Sequence, residues 1–225
     1  SWGGGNRTAE LKAMIYKGAL GYWHLDENGG TNGYADSSGN GNTGTPFNGV
    51  TNTTGIIRGA AKFDDTNDYF RIASSVLWNF STNDFSISLW VYPTGGTPVG
   101  MIIGDYFTGG AEVAPDFQLA HGGGTEWINF YRGANRARTP IGAAPLNRWS
   151  HVVLTRNSST SNNLGIFVNG VLNLNTSITP TYTGQVGRGL NLYVGIDGDG
   201  SSEPFGGSID ELAIYNRSLN ASEVK

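Results

Sequence analysis

Residues 21–45 read GYWHLDENGGTNGYADSSGNGNTGT, and this stretch decides how the rest of the chain is interpreted. Its first five residues alternate small or polar side chains with large apolar ones, which is typical of a half-buried β-strand. Residues 26–45 then contain six glycines and four asparagines, which accept the left-handed backbone conformations of tight turns. The stretch therefore predicts a strand followed by a long, turn-rich loop.

The same loop offers oxygen ligands for a hard cation. Asp36 is followed by Asn40 and Asn42, and carboxylate and amide oxygens are the ligands that calcium prefers. A second acidic turn, DDTND at residues 64–68, brings Asp64 and Asp68 together, and such close carboxylates repel unless water or a cation screens them. Asx-rich turns also form without an ion, so a calcium site and an ion-free turn both remain open at each place.

The rest of the chain predicts further strands. In residues 85–92, FSISLWVY, four large apolar residues alternate with Ser86, Ser88, Trp90 and Tyr92, which predicts a central strand with one wholly apolar face. Asn169-Gly170, flanked by apolar pairs, is the strongest short signal for a β-hairpin. We therefore expect an all-β chain.

Four blocks of sequence carry a resemblance to a known family. They are, in order, the opening strand with DSSGNGNTG at residues 36–44, GAAKFDDTNDY at 59–69, FSISLWV at 85–91 and GGSIDELAIYN at 206–216. Together they resemble the laminin-G-like jelly-roll domains of the concanavalin A-like superfamily. The WSHVV and IFVNG segments at residues 149–153 and 166–170 are similar to the same pattern.

The resemblance implies a two-sheet antiparallel jelly-roll sandwich that forms one domain over residues 21–225. It also implies that the last strand pairs beside the first, so that Asp210 approaches the opening loop. A calcium ion held by Asp36, Asn40, Asn42 and Asp210 is the first expectation, and Asp64 with Asp68 is the second.

Residues 1–20 are predicted to be a separate helical segment or linker. Leu11, Met14 and Ile15 recur at helical spacing, with Thr8 as an N-cap and Gly18 as a stop. So short a helix needs a surface to dock on. It is interpreted either as a helix on the sandwich or as the end of a longer stalk through which subunits self-assemble. A second short helix is predicted from Asn220.

Exposed aromatic residues are the candidate ligand-binding groups. Trp127 and Tyr131 follow a glycine-rich loop, and loops at the ends of a sandwich are where binding surfaces usually lie. Trp90 and Tyr92 face away from the predicted core and serve either a ligand or a second packing layer. Arg132, Arg136 and Arg138 are interpreted as solvent-facing residues of an edge strand, with contact to an anionic sugar or an acidic protein as the alternative. His151 is interpreted as a packing residue.

The composition excludes several classes of function. The net charge is −4 without a basic stripe, so nucleic acid is not expected as a partner. No apolar run is long enough to cross a bilayer, so this fragment is not expected to insert into a membrane. Cysteine is absent, which excludes disulfides and thiolate chemistry. Seven N-x-S/T sequons agree with an extracellular or cell-surface protein.

No catalytic motif is found. Glycosidases that share the fold place acidic residues on one strand at a spacing like E-x-D-x-x-E, whereas Glu112, Glu126, Glu203 and Glu211 are isolated here. The sequence therefore predicts a non-catalytic recognition or adhesion domain that binds a glycan or an extracellular protein and is stabilised by calcium. The alternatives are the structural head of a surface filament or pilin-like subunit and, third, a glycosidase-related enzyme.

Overall fold

The computed structural model describes residues 18–28, 32–95, 98–105, 117–131, 135–174 and 180–224. Apart from one 3₁₀ turn at Val76–Trp78, the regular structure in these ranges is β-strand. The strands are β1 (Ala19–Trp23), β2 (Gly44–Phe47), β3 (Thr51–Thr54), β4 (Gly59–Asp64), β5 (Tyr69–Ile72), β6 (Phe85–Pro93), β7 (Gly100–Gly104), β8 (Gln118–His121), β9 (Ile128–Tyr131), β10 (Asn135–Arg138), β11 (Ser150–Arg156), β12 (Leu164–Val168), β13 (Val171–Leu172), β14 (Leu192–Val194) and β15 (Gly206–Tyr215).

The strands form two antiparallel sheets that face each other as a sandwich. The first sheet has eight strands, in the order β13-β12-β11-β6-β15-β4-β3, with β1 also paired to β15. The second has seven strands, in the order β10-β9-β8-β7-β14-β5-β2. The predicted all-β jelly-roll class is confirmed.

The predicted neighbourhood of the first and last strands is observed. β1 pairs with residues 212–215 of β15, whereas β4 pairs with residues 206–209 of the same strand. The register of β15 against β6 shifts between Asp210 and Ala213, and Glu211, inside this bulge, has a φ of 52°. A bulge with a left-handed residue turns side chains out of the regular alternation.

The core lies between the sheets and is built from the alternating apolar positions. Phe85, Ile87, Leu89 and Val91 are completely buried, as their spacing predicts. The Asn169-Gly170 hairpin also forms, with φ values of 51° and 79° that only residues tolerant of the left-handed region adopt easily. Its turn joins β12 to β13.

Neither of the two predicted helices is confirmed. Residues 1–17 of the predicted N-terminal segment, with the helix in it, lie outside the described residues, and Ala19 and Leu20, at the end of the segment, belong to β1. The division at residue 20 stays a prediction. The C-terminal helix is not found as far as Val224: residues 221–223 form a turn in which the Asn220 carboxamide accepts hydrogen bonds from Ser222 N and Glu223 N. The cap forms, but no helix continues from it.

Within the described ranges, no helix is both long and apolar enough to span a bilayer.

Candidate functional site

A cleft of about 360 Å³ lies on the outer face of the second sheet. Strands β8, β9 and β10 supply its floor, because their residues alternate between core and surface. Leu119 and Phe130 face the core and are fully buried, so their neighbours in sequence face outward. The described residues that line the cleft are Val99, Gln118, Ala120, Trp127, Asn129, Tyr131, Arg138 and Glu203.

Trp127 is the largest side chain of the cleft, and local backbone geometry sets its position. Its indole lies against the glycine turn at residues 122–125, where a Cβ on Gly122 would come within 2.4 Å of the ring. Glu126, the preceding residue, has a φ of 54° and redirects the chain into β9. Any larger residue at position 122 would therefore displace the indole.

The guanidinium of Arg138 lies 5.6 Å from the centre of the Trp127 ring. This cation–π contact orients both side chains and leaves them half-buried at the edge of the cleft. The sequence predicted Arg138 as a solvent-facing residue of an edge strand. It does lie on the edge strand β10 with a half-exposed side chain, but its contact with Trp127 was not predicted. The side chains of Arg132 and Arg136 lie outside the described residues.

The other polar groups of the cleft are neutral amides and one carboxylate. Asn129 lies on the floor beside Ala120, and the Gln118 amide donates to Asp197 Oδ1 at 3.2 Å. Tyr131 is the cross-strand neighbour of Gln118. Among the described lining residues, Glu203 is the only acid. An aromatic wall, amides and a cation together suit a polyhydroxylated ligand better than an apolar one.

The four predicted ligand-binding aromatics are not brought together. Trp127 and Tyr131 line the cleft, whereas Trp90 and Tyr92 lie on the outer face of the first sheet, on the other side of the sandwich. Trp90 stacks on His151 with ring centres 5.1 Å apart, and Tyr92 contacts Trp149 at 5.5 Å. On the first sheet these rings pack on one another and stay half-buried, so they form a separate aromatic patch.

His151 is held by its neighbours in that patch. Its Nε2 lies 3.0 Å from Ser88 Oγ, and burial lowers the pKa of the imidazole. The ring therefore stays neutral at physiological pH. This geometry agrees with the packing role expected from the sequence.

The predicted calcium ligands of the opening loop have other hydrogen-bond partners. Asp36 Oδ1 accepts from the backbone N–H groups of Tyr22 at 3.0 Å and Ser38 at 2.9 Å. Asp36 Oδ2 accepts from the backbone and side-chain amides of Asn42 at 2.9 and 3.1 Å. The amide nitrogens of Asn40 and Asn42 also donate to carbonyls of β1. Because N–H donors face the carboxylate, this arrangement does not fit a cation at Asp36.

Asp210 contacts a different loop. It is fully buried, and its Oδ2 accepts from Ile56 N at 2.8 Å and Ile57 N at 3.1 Å in the turn between β3 and β4. Burial raises the pKa of this carboxyl. Asp36 and Asp210 thus contact separate loops, although β1 and β15 are neighbours as predicted.

Asp64 and Asp68 are the second predicted pair of calcium ligands. Asp64 Oδ1 accepts from Thr66 N at 2.9 Å, and its backbone hydrogen bonds lower the pKa of the carboxyl against the opposing effect of burial. Asp68 is buried, and burial, with the charge of Asp64, raises its pKa. The pair still supplies only two carboxylates. In the described part of the chain, no three acidic, histidine or cysteine side chains lie close enough to share a metal ion, and calcium stays a prediction.

A buried glutamate next to Asp210 was missed from the sequence. Glu211 accepts hydrogen bonds from Tyr22 OH, and its Oε1 lies 3.1 Å from His24 Nδ1. Burial raises the pKa of its carboxyl to about 7. The alternation of β15 gave no signal for this, because the bulge at residue 211 breaks it. Gln118 and Asn129 were also missed; each is a polar residue between core residues, and that alternation is the only signal they carry.

The comparisons with known proteins agree with this architecture. The family model described as the concanavalin A-like lectin/glucanases superfamily, of laminin G type, matches residues 64–225. None of the curated proteins matches the chain.

Several solved structures share the fold at low sequence identity. Domain 4 of an extracellular GH43 arabinanase from Geobacillus stearothermophilus, in complex with arabinotriose, has a TM-score of 0.63 and 21% identity, with 92% of this chain and 96% of that one covered. The binding domain of Paraclostridial Mosquitocidal Protein 1 has a TM-score of 0.67 and 16% identity, covering 93% and 51%. The ligand-binding domain of botulinum neurotoxin serotype D, in complex with N-acetylneuraminic acid, has a TM-score of 0.61 and 15% identity, covering 95% and 51%.

This chain thus spans nearly all of the arabinanase domain but about half of the two toxin domains. At these identities the likeness establishes the fold and not the ligand. Together with the family model, which covers more than half of the sequence, it settles the classification. The chain belongs to the concanavalin A-like lectin/glucanase superfamily.

Proposed function

We propose that this domain is a non-catalytic, extracellular recognition module that binds a glycan in the cleft on the second sheet. The observation that carries the proposal is the Trp127 indole, held beside Tyr131 and under Arg138 at the edge of a cleft about 360 Å³ in volume. Two structures with the same fold contain a bound sugar, arabinotriose in one and N-acetylneuraminic acid in the other.

The chemistry of the lining supports a sugar ligand. The faces of aromatic rings stack on the C–H surfaces of sugar rings, while amides bind hydroxyl groups with both donors and acceptors. Asn129 and Gln118 supply such amides within the same cleft. A guanidinium stacked on an indole keeps its N–H groups in the plane, directed sideways toward a ligand.

The absence of catalysis is part of the proposal. Hydrolysis of a glycosidic bond needs two carboxyl groups on opposite sides of the bond, about 5 to 10 Å apart. Of the described lining residues only Glu203 is acidic, and it is exposed. Of the carboxyl groups with raised pKa, Asp210 and Glu211 belong to the first sheet and Asp68 to the turn between β4 and β5; none of them lines the cleft.

A glycan array followed by calorimetric titration tests the proposal. Wild type should bind at least one class of oligosaccharide, and Trp127→Ala should weaken that binding at least about tenfold, as truncating a central aromatic anchor typically does. Trp90→Ala is the matched control, because this tryptophan lies on the opposite face. Loss of binding in Trp90→Ala with full binding in Trp127→Ala would place the site on the first sheet and overturn the proposal.

Calcium is proposed as a stabilising ion at Asp64 and Asp68. Those two carboxyls lie in one turn and repel each other, and a bound cation relieves the repulsion. The ion would hold the turn between β4 and β5, on the opposite edge of the second sheet from the cleft. We therefore expect the ion to contribute to stability at a distance from the cleft.

A further inference from the structure

One row of residues crosses six of the seven strands of the second sheet in continuous register. Each residue pairs directly with the next one on the neighbouring strand, from β2 to β9: Thr45, Arg71, Tyr193, Gly104, Gln118 and Tyr131. The core residues Phe70, Leu192, Val194, Leu119 and Phe130, adjacent to them in sequence, are buried, so the side chains of the row face outward. The row connects the cleft with the far side of the sheet.

The far side carries three aromatic residues and one arginine, which we call the platform: Phe47, Tyr69, Tyr193 and Arg71. The rings of Phe47 and Tyr69 stack with centres 4.8 Å apart and an angle of 11°. Tyr69 and Tyr193 are 5.8 Å apart. All four side chains are half-buried on the outer face of the sheet. The platform thus repeats, on β2, β5 and β14, the combination of rings and an arginine found in the cleft.

Arg71 is the charged centre of the platform. Its guanidinium lies 5.1 Å from the centre of the Phe47 ring. Among the described residues no carboxylate lies within ion-pair distance of it, in contrast to Arg58 and Arg217. A guanidinium fixed by stacking and not neutralised by an acid can present its N–H fork to a carboxylate or a sulfate in two parallel hydrogen bonds.

The distance between the two groups defines the size of a ligand that uses both. Arg71 and Tyr131 are four strand steps apart, and neighbouring strands are about 4.8 Å apart, which gives roughly 19 Å. Gly104, in the middle of the row, is buried, and a Cβ there would lie 2.6 Å from Phe117 O, so only backbone separates the two groups at this point. A single sugar ring cannot cover this span, whereas an oligosaccharide can.

We propose that the cleft and the platform are two ends of one binding surface for a linear acidic polysaccharide, whose carboxylate or sulfate groups are recognised by Arg71. This inference rests on the proposed function, because it takes the cleft to be a glycan site. The two charged residues that line the cleft, Arg138 and Glu203, have opposite signs. At roughly 19 Å, about two Debye lengths at physiological salt, Arg71 attracts an anion without interference from the cleft.

The test is a titration of matched oligosaccharides into wild type, Arg71→Gln and Trp127→Ala. The ligands are oligogalacturonates of two to eight units, sulfated galactan oligomers and uncharged galactan oligomers of the same lengths. The affinity of wild type for the acidic chains should rise with chain length until the chains span both the cleft and the platform. One of the two acidic series should bind more tightly than the other, which identifies the anion as a carboxylate or a sulfate. Arg71→Gln should lose about tenfold in affinity for the long acidic chains, and its salt dependence should be weaker.

The control for Arg71→Gln is Arg148→Gln, which removes an exposed arginine in the loop before β11. It should bind like wild type. The inference is wrong if uncharged chains bind as well as acidic ones, or if Arg71→Gln binds the long acidic chains like wild type. In either case, loss of binding in Trp127→Ala would still support the cleft as a glycan site. If none of these oligosaccharides binds wild type, this inference is wrong, and the glycan array decides separately whether the cleft binds another class of sugar.

Discussion

Replacing Asp36 by alanine tests how the opening loop is held. Its carboxylate accepts four N–H groups, from Tyr22 N, Ser38 N, Asn42 N and Asn42 Nδ2, and so connects the loop to β1. Asn42 is bound to the same strand a second way, because its carbonyl accepts from the Trp23 indole at 2.8 Å. Loss of the Asp36 carboxylate leaves these donors without their acceptor at the point where the chain enters the sandwich.

The magnitude follows from the number of donors and their exposure. A hydrogen bond to a charged group contributes roughly 1.5–3 kcal/mol. Asp36 is only half-buried, so water can replace part of what is lost. Counting two of the four bonds at the lower value gives a destabilisation of about 3 kcal/mol. For a domain of this size that corresponds to a fall in Tm of roughly 6 to 12 °C.

The assay is thermal unfolding followed by circular dichroism, with a chelator present so that no metal contributes. Asp199→Ala is the matched control, because Asp199 also accepts backbone N–H groups, from Ser201 and Ser202, but these donors belong to its own turn and connect it to no strand. It should lower Tm by no more than about 3 °C, since such surface changes cost little. The reasoning is refuted if Asp36→Ala melts like wild type in chelator, or if it is destabilised only when calcium is added.

Three further predictions concern other parts of the first sheet and the acidic turn. Because burial raises the pKa of Glu211 to about 7 from 4.5, the folded state keeps a proton that the unfolded state releases, and stability falls as pH rises between these values. Glu211→Gln should remove this fall and be more stable than wild type at pH 8 by up to about 3 kcal/mol in urea unfolding; parallel pH profiles would contradict it. Asn169→Ala should lower the free energy of unfolding by about 2 kcal/mol, because it loses the hydrogen bond that His151 N donates at 2.9 Å and strains a φ of 51°. Asn169→Gly should lower it by less, and equal losses in the two variants would exclude strain at this position. Chelation should lower the Tm of wild type, and added calcium should restore it, whereas the Tm of Asp68→Asn should not respond to chelation. A wild-type Tm that does not change on chelation would contradict the calcium proposal.

Local patterns predicted the elements that depend on neighbours in sequence. The alternation in β6 predicted which of its side chains enter the core, and Asn169-Gly170 predicted the hairpin, because both depend on a few consecutive residues. The bulge at Glu211 was not predicted, since no glycine marks it. The hydrogen-bond partners of Asp36 were missed for another reason: composition shows that oxygen ligands are present, but not that N–H donors already face them.

The candidate site depends on contacts between distant segments. The sequence predicted Trp127 and Tyr131, which lie in one short segment, but gave no reason to separate them from Trp90 and Tyr92. Alternation shows that a side chain faces away from the core, without showing which of the two sheets it belongs to. Val99 and Glu203 line the cleft only because the fold brings their loops beside β8 and β9, which the sequence does not show. The row from Arg71 to Tyr131 depends on the register of five strands.

The most direct test of the account is to map a bound oligosaccharide on the isotope-labelled domain by NMR, using the ligand that binds best on the array. The perturbed backbone amides should cluster in β8, β9 and β10, around Gln118, Asn129 and Arg138, and the Trp127 indole N–H should shift most among the tryptophans. Perturbations that cluster instead around Trp90, Tyr92 and His151 would show that the domain binds glycans through the first sheet and would contradict the assignment of the site.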